Sequence, residues 1–360
     1  MKKNSTKLKQ TNFTYLSEKL EPEEVHQIME GCLRSLRDLF IRESQKRPMV
    51  LVIEDLHWIG ACGTAFFRKG LFPGQFKENV DKMPEVIHLI EKAGRESDFF
   101  KGAVNPYSFI SGFTGLAFGH NGRFEEGNLF LQKALQNAEM LDDPVTLGLT
   151  LLFYGCLYSV KGDWKSAKEF LEKTLIYSEE EKFLMVVVIG LIFIGYVHSH
   201  LEDPETGRGQ AEKGLKMIRD SGIEAFLAFC YWIMGSIHLN LQDMESAQIS
   251  LEEALRLSRK NGEKGWEGLA LAGLGRVFSK KNLRDKKKTE EFFSQGLAIL
   301  NEQKMKPWVA QEHMFLGEFY LDEGDKEKAL ENLKEAEGMF LEMEMDYWLD
   351  RTRKVLETVK

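Results

Sequence analysis

The chain is poor in cysteine and proline, has no excess of positive charge, and lacks the short motifs of common catalytic sites. Each scarcity removes a class of protein. Four cysteines, Cys32, Cys62, Cys156 and Cys230, stand in 360 residues, and none forms a C-x-x-C pair. That pattern supplies neither a zinc site nor a disulfide framework, so four inert thiols in a reducing cytoplasm are expected. Lys and Arg number 48 against 56 Asp and Glu, a formal net charge of -8, which argues against direct binding of nucleic acid along a basic groove. G-x-S-x-G, H-E-x-x-H and a Cys/His nucleophile pairing are missing, so neither an enzyme nor a metal or other cofactor is expected. The basic start, Met1-Lys2-Lys3-Asn4, runs into polar residues rather than the apolar core of a signal peptide. The apolar run Phe183 to Val197 has fifteen residues, short of the ~20 needed to cross a bilayer. Charged residues crowd both its ends, so it reads as a buried helix and no membrane is implied. With only 8 prolines and 43% apolar residues, the composition is that of a globular helical protein.

A repeat organises what remains. Glycines recur in apolar stretches at Gly115, Gly155, Gly195, Gly235, Gly275 and Gly317, in four steps of 40 residues and one of 42. Three residues after each stands Phe118, Tyr158, His198, His238, Phe278 or Tyr320. Twelve after it comes Gly127, Ala167, Gly207, Ala247 or Ala329, and sixteen after it Leu131, Leu171, Ala211, Leu251 or Leu333. The fifth unit fits with two extra residues near Lys286 to Lys288 and then supplies Thr289, Phe293 and Gly296. Such a pattern describes two antiparallel helices per unit, A and B, crossing closely at the small residues. A helix-interior glycine costs ~1 kcal/mol, so six in register imply a packing need. Gly122, Gly162 and Gly324 suit the left-handed position after helix A, and Asp163, Asp203, Asp243 and Asp325 suit the cap of helix B.

Small-x-x-aromatic, Gly-Asp, then Ala, Leu and Ala-Leu resembles the tetratricopeptide repeat (TPR), over about Asn105 to Phe340. The resemblance implies an all-α superhelix of six helical hairpins over residues 105–343. The usual period is ~34; the longer one here suggests longer helices. Phe76 to Gly94 looks like a further degenerate unit within a connector, 63–104. Asp346 to Lys360, within 344–360, looks like a capping helix with Tyr347, Trp348, Val355 and Leu356 as its apolar face.

Residues 1–62 read differently. Apolar residues at helical spacing from Glu23 to Glu43 give way at Arg47-Pro48 to Met49-Val50-Leu51-Val52-Ile53, the mark of a buried parallel strand. It ends in Glu54-Asp55-Leu56-His57-Trp58. This region resembles the Walker B segment of STAND-type AAA ATPases, which precede TPR-like arrays in LuxR-type regulators and in adenylate/guanylate cyclase-associated proteins. The resemblance implies a short helix-strand remnant of an α/β ATPase domain, with Glu54 and Asp55 at the magnesium-holding and water-polarising positions. No G-x-x-x-x-G-K-[ST] occurs anywhere in the chain, so the phosphate cradle is missing and the remnant is expected to be inactive.

His198-x-His200 could be a ligand pair, but i and i+2 face apart on a helix, and His198 fills the aromatic slot of its repeat. A core histidine is expected. Arg284 to Lys288 reads as a solvated loop. The inner wall of a TPR-like array comes from helix A. Carrying over its offsets gives Phe109, Leu149, Leu152, Ile192, Tyr196, Phe229 and Trp232 in the first four units, with His120 and His200. The last two units give Arg276, Lys280, Gln311, Glu318 and Asp322. An inner wall apolar at one end and polar at the other suits a peptide or protein partner with an amphipathic face. Alternatively, tight curvature buries these side chains as core, and curvature is not readable from sequence. The expected function is a cytoplasmic, non-catalytic interaction scaffold or sensor arm of a bacterial-type signalling system. The alternative is a fragment of an ATP-dependent STAND regulator or cyclase-associated ATPase that binds ATP only with its missing half. A transcription regulator would need a DNA-binding helix-turn-helix, and none is evident after the array.

Overall fold

The computed structural model describes residues 76–99, 104–180, 183–201, 203–224, 226–281 and 285–359. All of them lie in the second of two compact units, Ile53–Lys360. The expected helix-strand remnant, with Glu54 and Asp55, lies outside the described residues. Among the described residues there are fourteen helices and no strand. Helix α1 (Phe76–Lys92) leads in as a single helix. Six hairpins follow: α2 (Pro106–His120) with α3 (Phe124–Met140), α4 (Pro144–Lys161) with α5 (Trp164–Glu180), α6 (Leu184–His200) with α7 (Pro204–Asp220), α8 (Leu227–Asn240) with α9 (Met244–Asn261), α10 (Lys264–Lys281) with α11 (Lys286–Glu302), and α12 (Lys306–Asp322) with α13 (Lys326–Glu342). Helix α14 (Asp346–Val359) packs on α13. The fold is the expected TPR-like superhelix.

The repeat register is that of the glycines. A Cβ at Gly155 in α4 would lie 2.5 Å from Leu171 Cγ and 3.5 Å from the Ala167 carbonyl oxygen of α5. No side chain fits there, so the two helices can cross this closely only over glycine. Leu171, sixteen residues on, is fully buried by that approach. In the fifth unit Phe293 takes the leucine's place and leaves 3.1 Å. Helix B is capped as its sequence suggests: Asp163 Oδ1 accepts from the Ser166 amide at 3.1 Å, and Asp243 Oδ1 from the Ser246 amide at 3.1 Å. Between α4 and α5, Gly162 has φ +85°, a conformation that side-chain-bearing residues resist.

Helix A of each unit is sandwiched between its own helix B and the neighbouring units, so it is apolar nearly all round. The run at Phe183 to Val197 is such a helix: Val186, Val188, Ile192, Ile194 and Val197 are at most 1% exposed. Among the described residues only Pro144–Lys161 is long and apolar enough to cross a bilayer, and 72% of it is buried inside the protein. Helix α14 buries Trp348, Leu349, Thr352 and Val359. Tyr347, expected on that face, instead remains 37% exposed.

Curvature decides the rest. The first and sixth A helices, α2 and α12, meet. Trp308 Nε1 on α12 donates to His120 Nδ1 on α2 at 2.9 Å. Asn121 Nδ2 donates to the Lys304 carbonyl at 3.0 Å. In the next unit Trp164, the first residue of α5, packs edge-on against Tyr347 and Trp348 of α14, at 5.3 and 6.1 Å between ring centroids. The superhelix therefore closes on itself.

Candidate functional site

The inner wall is built where the helix-A offsets placed it, and closure turns most of it inward. Trp232 on α8 is 5% exposed. Its ring lies 5.9 Å from Tyr196 and Trp266 and 5.1 Å from Trp308, between centroids. Phe229 lies 5.0 Å from both Phe193 and Trp266. Leu149, Leu152 and Ile192 are buried as well. Phe109 is half-buried, with its ring 5.9 Å from Phe153. What remains between the aromatic rings is a void of about 10 Å³, the room of one water at most. In this closed form the apolar half of the wall is packed interior, the second of the two arrangements that the sequence left open.

The polar half is different. Arg276 on α10 is half-buried, its guanidinium 3.7 Å from the centre of the Phe315 ring. Arg351 of α14 lies over the same ring at 5.1 Å and donates to Glu318 Oε1 at 3.1 Å. Such cation–π contacts strengthen as water is excluded. Near Arg276, Glu312 is 5% exposed, and its Oε2 has no hydrogen-bond partner among the described residues. Burial pushes the Glu312 carboxyl up to about 7, against the opposing pull of Arg276. His200 stacks on Trp164, rings parallel and 4.0 Å apart. Burial, and then the Arg276 and Arg351 charges, hold its imidazole down at about 3. His198, two residues earlier, has different charged neighbours, Lys168 and Asp203. The two rings therefore serve different surroundings. No cluster of three or more metal-ligating side chains occurs among the described residues.

Beyond Arg351 the wall opens. A cleft of about 690 Å³ lies between α10, α12 and α14, lined by Lys280, Glu318, Asp322, Tyr347, Asp350, Arg351 and Lys354, with Leu321, Val355 and Thr358. Lys280 Nζ donates to Asp322 Oδ2 at 2.8 Å. Both side chains are about half exposed, so the pair is worth under ~1 kcal/mol and is readily exchanged for another partner. Lys280, Glu318 and Asp322, named from helix-A offsets, come together here.

Sequence reasoning missed the residues that fill the superhelix. Trp266 and Trp308 each stand nine positions before their unit's glycine, one helical turn beyond the offsets used. The coincidence of tryptophan at that place in successive units was the available signal. Trp164 opens a helix B, and Glu312 falls between offsets.

Comparison with known proteins agrees with this geometry. A tetratricopeptide repeat family model matches residues 230–261, almost all of the hairpin α8–α9. Among solved structures, a Rap protein complexed with Competence and Sporulation Factor is 18% identical, with 78% of this chain aligned to 81% of that one at a TM-score of 0.55. The apo form of RapI is 12% identical, with 81% of this chain aligned to 98% of that one at a TM-score of 0.52. These likenesses show a TPR-like superhelical array. No curated protein matches the chain.

Proposed function

We propose that the chain is a peptide- or protein-binding module, non-catalytic by itself, which engages its partner at the polar mouth of the superhelix. The observation that carries this reading is the open cleft between α10, α12 and α14. It is the part of the inner wall that offers exposed charge of both signs, with Lys280, Lys354 and Asp350 beside the exposed ring of Tyr347. An extended peptide presents unpaired backbone groups and charged side chains to such a surface. A Rap protein of like fold has been solved with Competence and Sporulation Factor bound, which supports a binding role for this fold. Buried Cys156 and Cys230, both free thiols pushed up by burial, are compatible with a reducing cytoplasm. A displayed random-peptide library panned on the full chain tests the reading. Enrichment that is lost on Lys280→Glu/Lys354→Glu is expected; no enrichment, or enrichment indifferent to those changes, contradicts it.

A second reading rests on Glu54-Asp55-Leu56-His57-Trp58. In it the chain is the sensor arm of an ATP-dependent regulator and holds Mg-ATP only together with a chain that supplies the phosphate cradle. Calorimetry on this chain alone then shows no Mg-ATP binding. A micromolar dissociation constant, lost in Glu54→Ala/Asp55→Ala, would mean that the cradle is built from residues of this chain.

A further inference from the structure

The superhelix is closed by a seam between segments far apart in the chain. Trp308 Nε1 donates to His120 Nδ1, Asn121 Nδ2 donates to the Lys304 carbonyl, and the Gly122 turn packs against Met343. A repeat array is held together by contacts between neighbouring units. Contact between its first and sixth units is an addition to that, and breaking it leaves every hairpin and every neighbouring interface in place.

Closure also strands polar groups. Trp164 Nε1, Trp348 Nε1, His200 Nε2 and Glu312 Oε2 are buried with no hydrogen-bond partner among the described residues. Trp164 and Trp348 are 5% and 1% exposed. The guanidinium of Arg276 lies against Phe315, within electrostatic reach of Glu312 and Glu318 but in no ion pair with either. These groups form one connected patch: Arg276 on Phe315, Phe315 against Trp348 at 6.2 Å, Trp348 against Trp164, and Trp164 on His200. A wall serving stability alone would be apolar here, because an unsatisfied buried polar group opposes folding. The patch adjoins the open cleft through Tyr347 and Arg351, which line that cleft and touch Trp348.

We propose that the seam is a gate: the first and sixth units part to admit an extended peptide from the mouth into the interior, where the stranded groups bond its main chain and ends. This rests on the peptide-binding reading of the mouth. The chemistry is matched group by group. Indole N–H can only donate, and peptide carbonyls accept. The Glu312 carboxylate accepts from peptide N–H or an amino group. Arg276 takes a carboxylate in a two-pronged bond, and the packed rings offer apolar faces to side chains.

The test locks the seam. Asn121→Cys/Lys304→Cys in the full chain places two thiols where a side chain already reaches across it. The chain is compared reduced and oxidised, with His120→Phe as a second variant that keeps an aromatic ring and every tryptophan and deletes the acceptor. Two probes are read: acrylamide quenching of tryptophan fluorescence, and affinity for peptides enriched from a random library on the wild-type chain. The proposal expects quenching to be several-fold weaker in the oxidised form and stronger than wild type in His120→Phe. Peptide affinity should fall at least tenfold on oxidation and return on reduction. Equal quenching in both redox forms overturns the gate. Peptides held equally by the locked chain overturn it too, while leaving binding at the mouth intact. Altered quenching with no peptide enriched removes the binding reading and the gate that rests on it.

Discussion

At the scale of single residues, Trp232 separates packing from recognition. Its ring touches Tyr196, Phe229, Trp266 and Trp308, so Trp232→Ala removes contacts on every side. A loss of about 3–5 kcal/mol in urea unfolding is expected; a loss under ~1 kcal/mol would mean that the ring is not enclosed. Glu312 gives the molecule a pH dependence of definite sign. Its carboxyl is raised from 4.5 to about 7, so between those values the folded chain holds a proton that the unfolded chain has released. Stability from this group is therefore lost as pH rises through that window. His120 and His200, held near 3 by burial, act in the opposite direction below their ordinary value of 6.5, and they act equally in a Glu312 variant. The stability of Glu312→Gln relative to wild type should thus grow from about pH 5 to pH 7 and stay level above. Denaturant midpoints across that range check it, and a difference that does not change with pH would show that the carboxyl does not titrate there.

At the scale of elements, the hairpin crossing carries the stability. Gly155→Leu forces α4 from α5, an overpacking cost of at least ~1–3 kcal/mol. Units on both sides lose a stacking partner, so the melting temperature should fall further than one site explains. Gly162→Leu works otherwise: φ is +85° there, and a Cβ would meet Trp348 Nε1 at 2.7 Å. It should loosen α14 as well as straining its turn, visible as faster amide exchange in Asp346–Val359. A Gly155→Leu protein that melts like wild type would mean that the crossing lies elsewhere. The elements were legible in the sequence because a glycine needed at a crossing has no substitute. Gly155, Ala167 and Leu171 announce one contact from three places. The fifth unit was legible despite its insertion because Thr289 and Phe293 resume the pattern and are buried.

At the scale of the whole molecule, curvature was not legible. It is the sum of small rotations from unit to unit, and no single residue records it. The residues that reveal it, His120 with Trp308 and Trp164 with Trp348, are 188 and 184 positions apart. For the same reason the packing partners of Tyr196, Phe229 and Trp232 across the superhelix went unseen. The polar end could be read more directly, since Lys280, Glu318 and Asp322 keep to the open cleft. The central claim is that a peptide partner is first met and steered by the exposed charges of this mouth. The most direct test measures melting temperature and peptide association rate together on Lys280→Glu/Lys354→Glu, using peptides enriched on the wild-type chain. Both lysines are exposed, so melting should be unchanged while the association rate falls at least about tenfold and its salt dependence alters. An association rate equal to wild type at every salt concentration would contradict the claim.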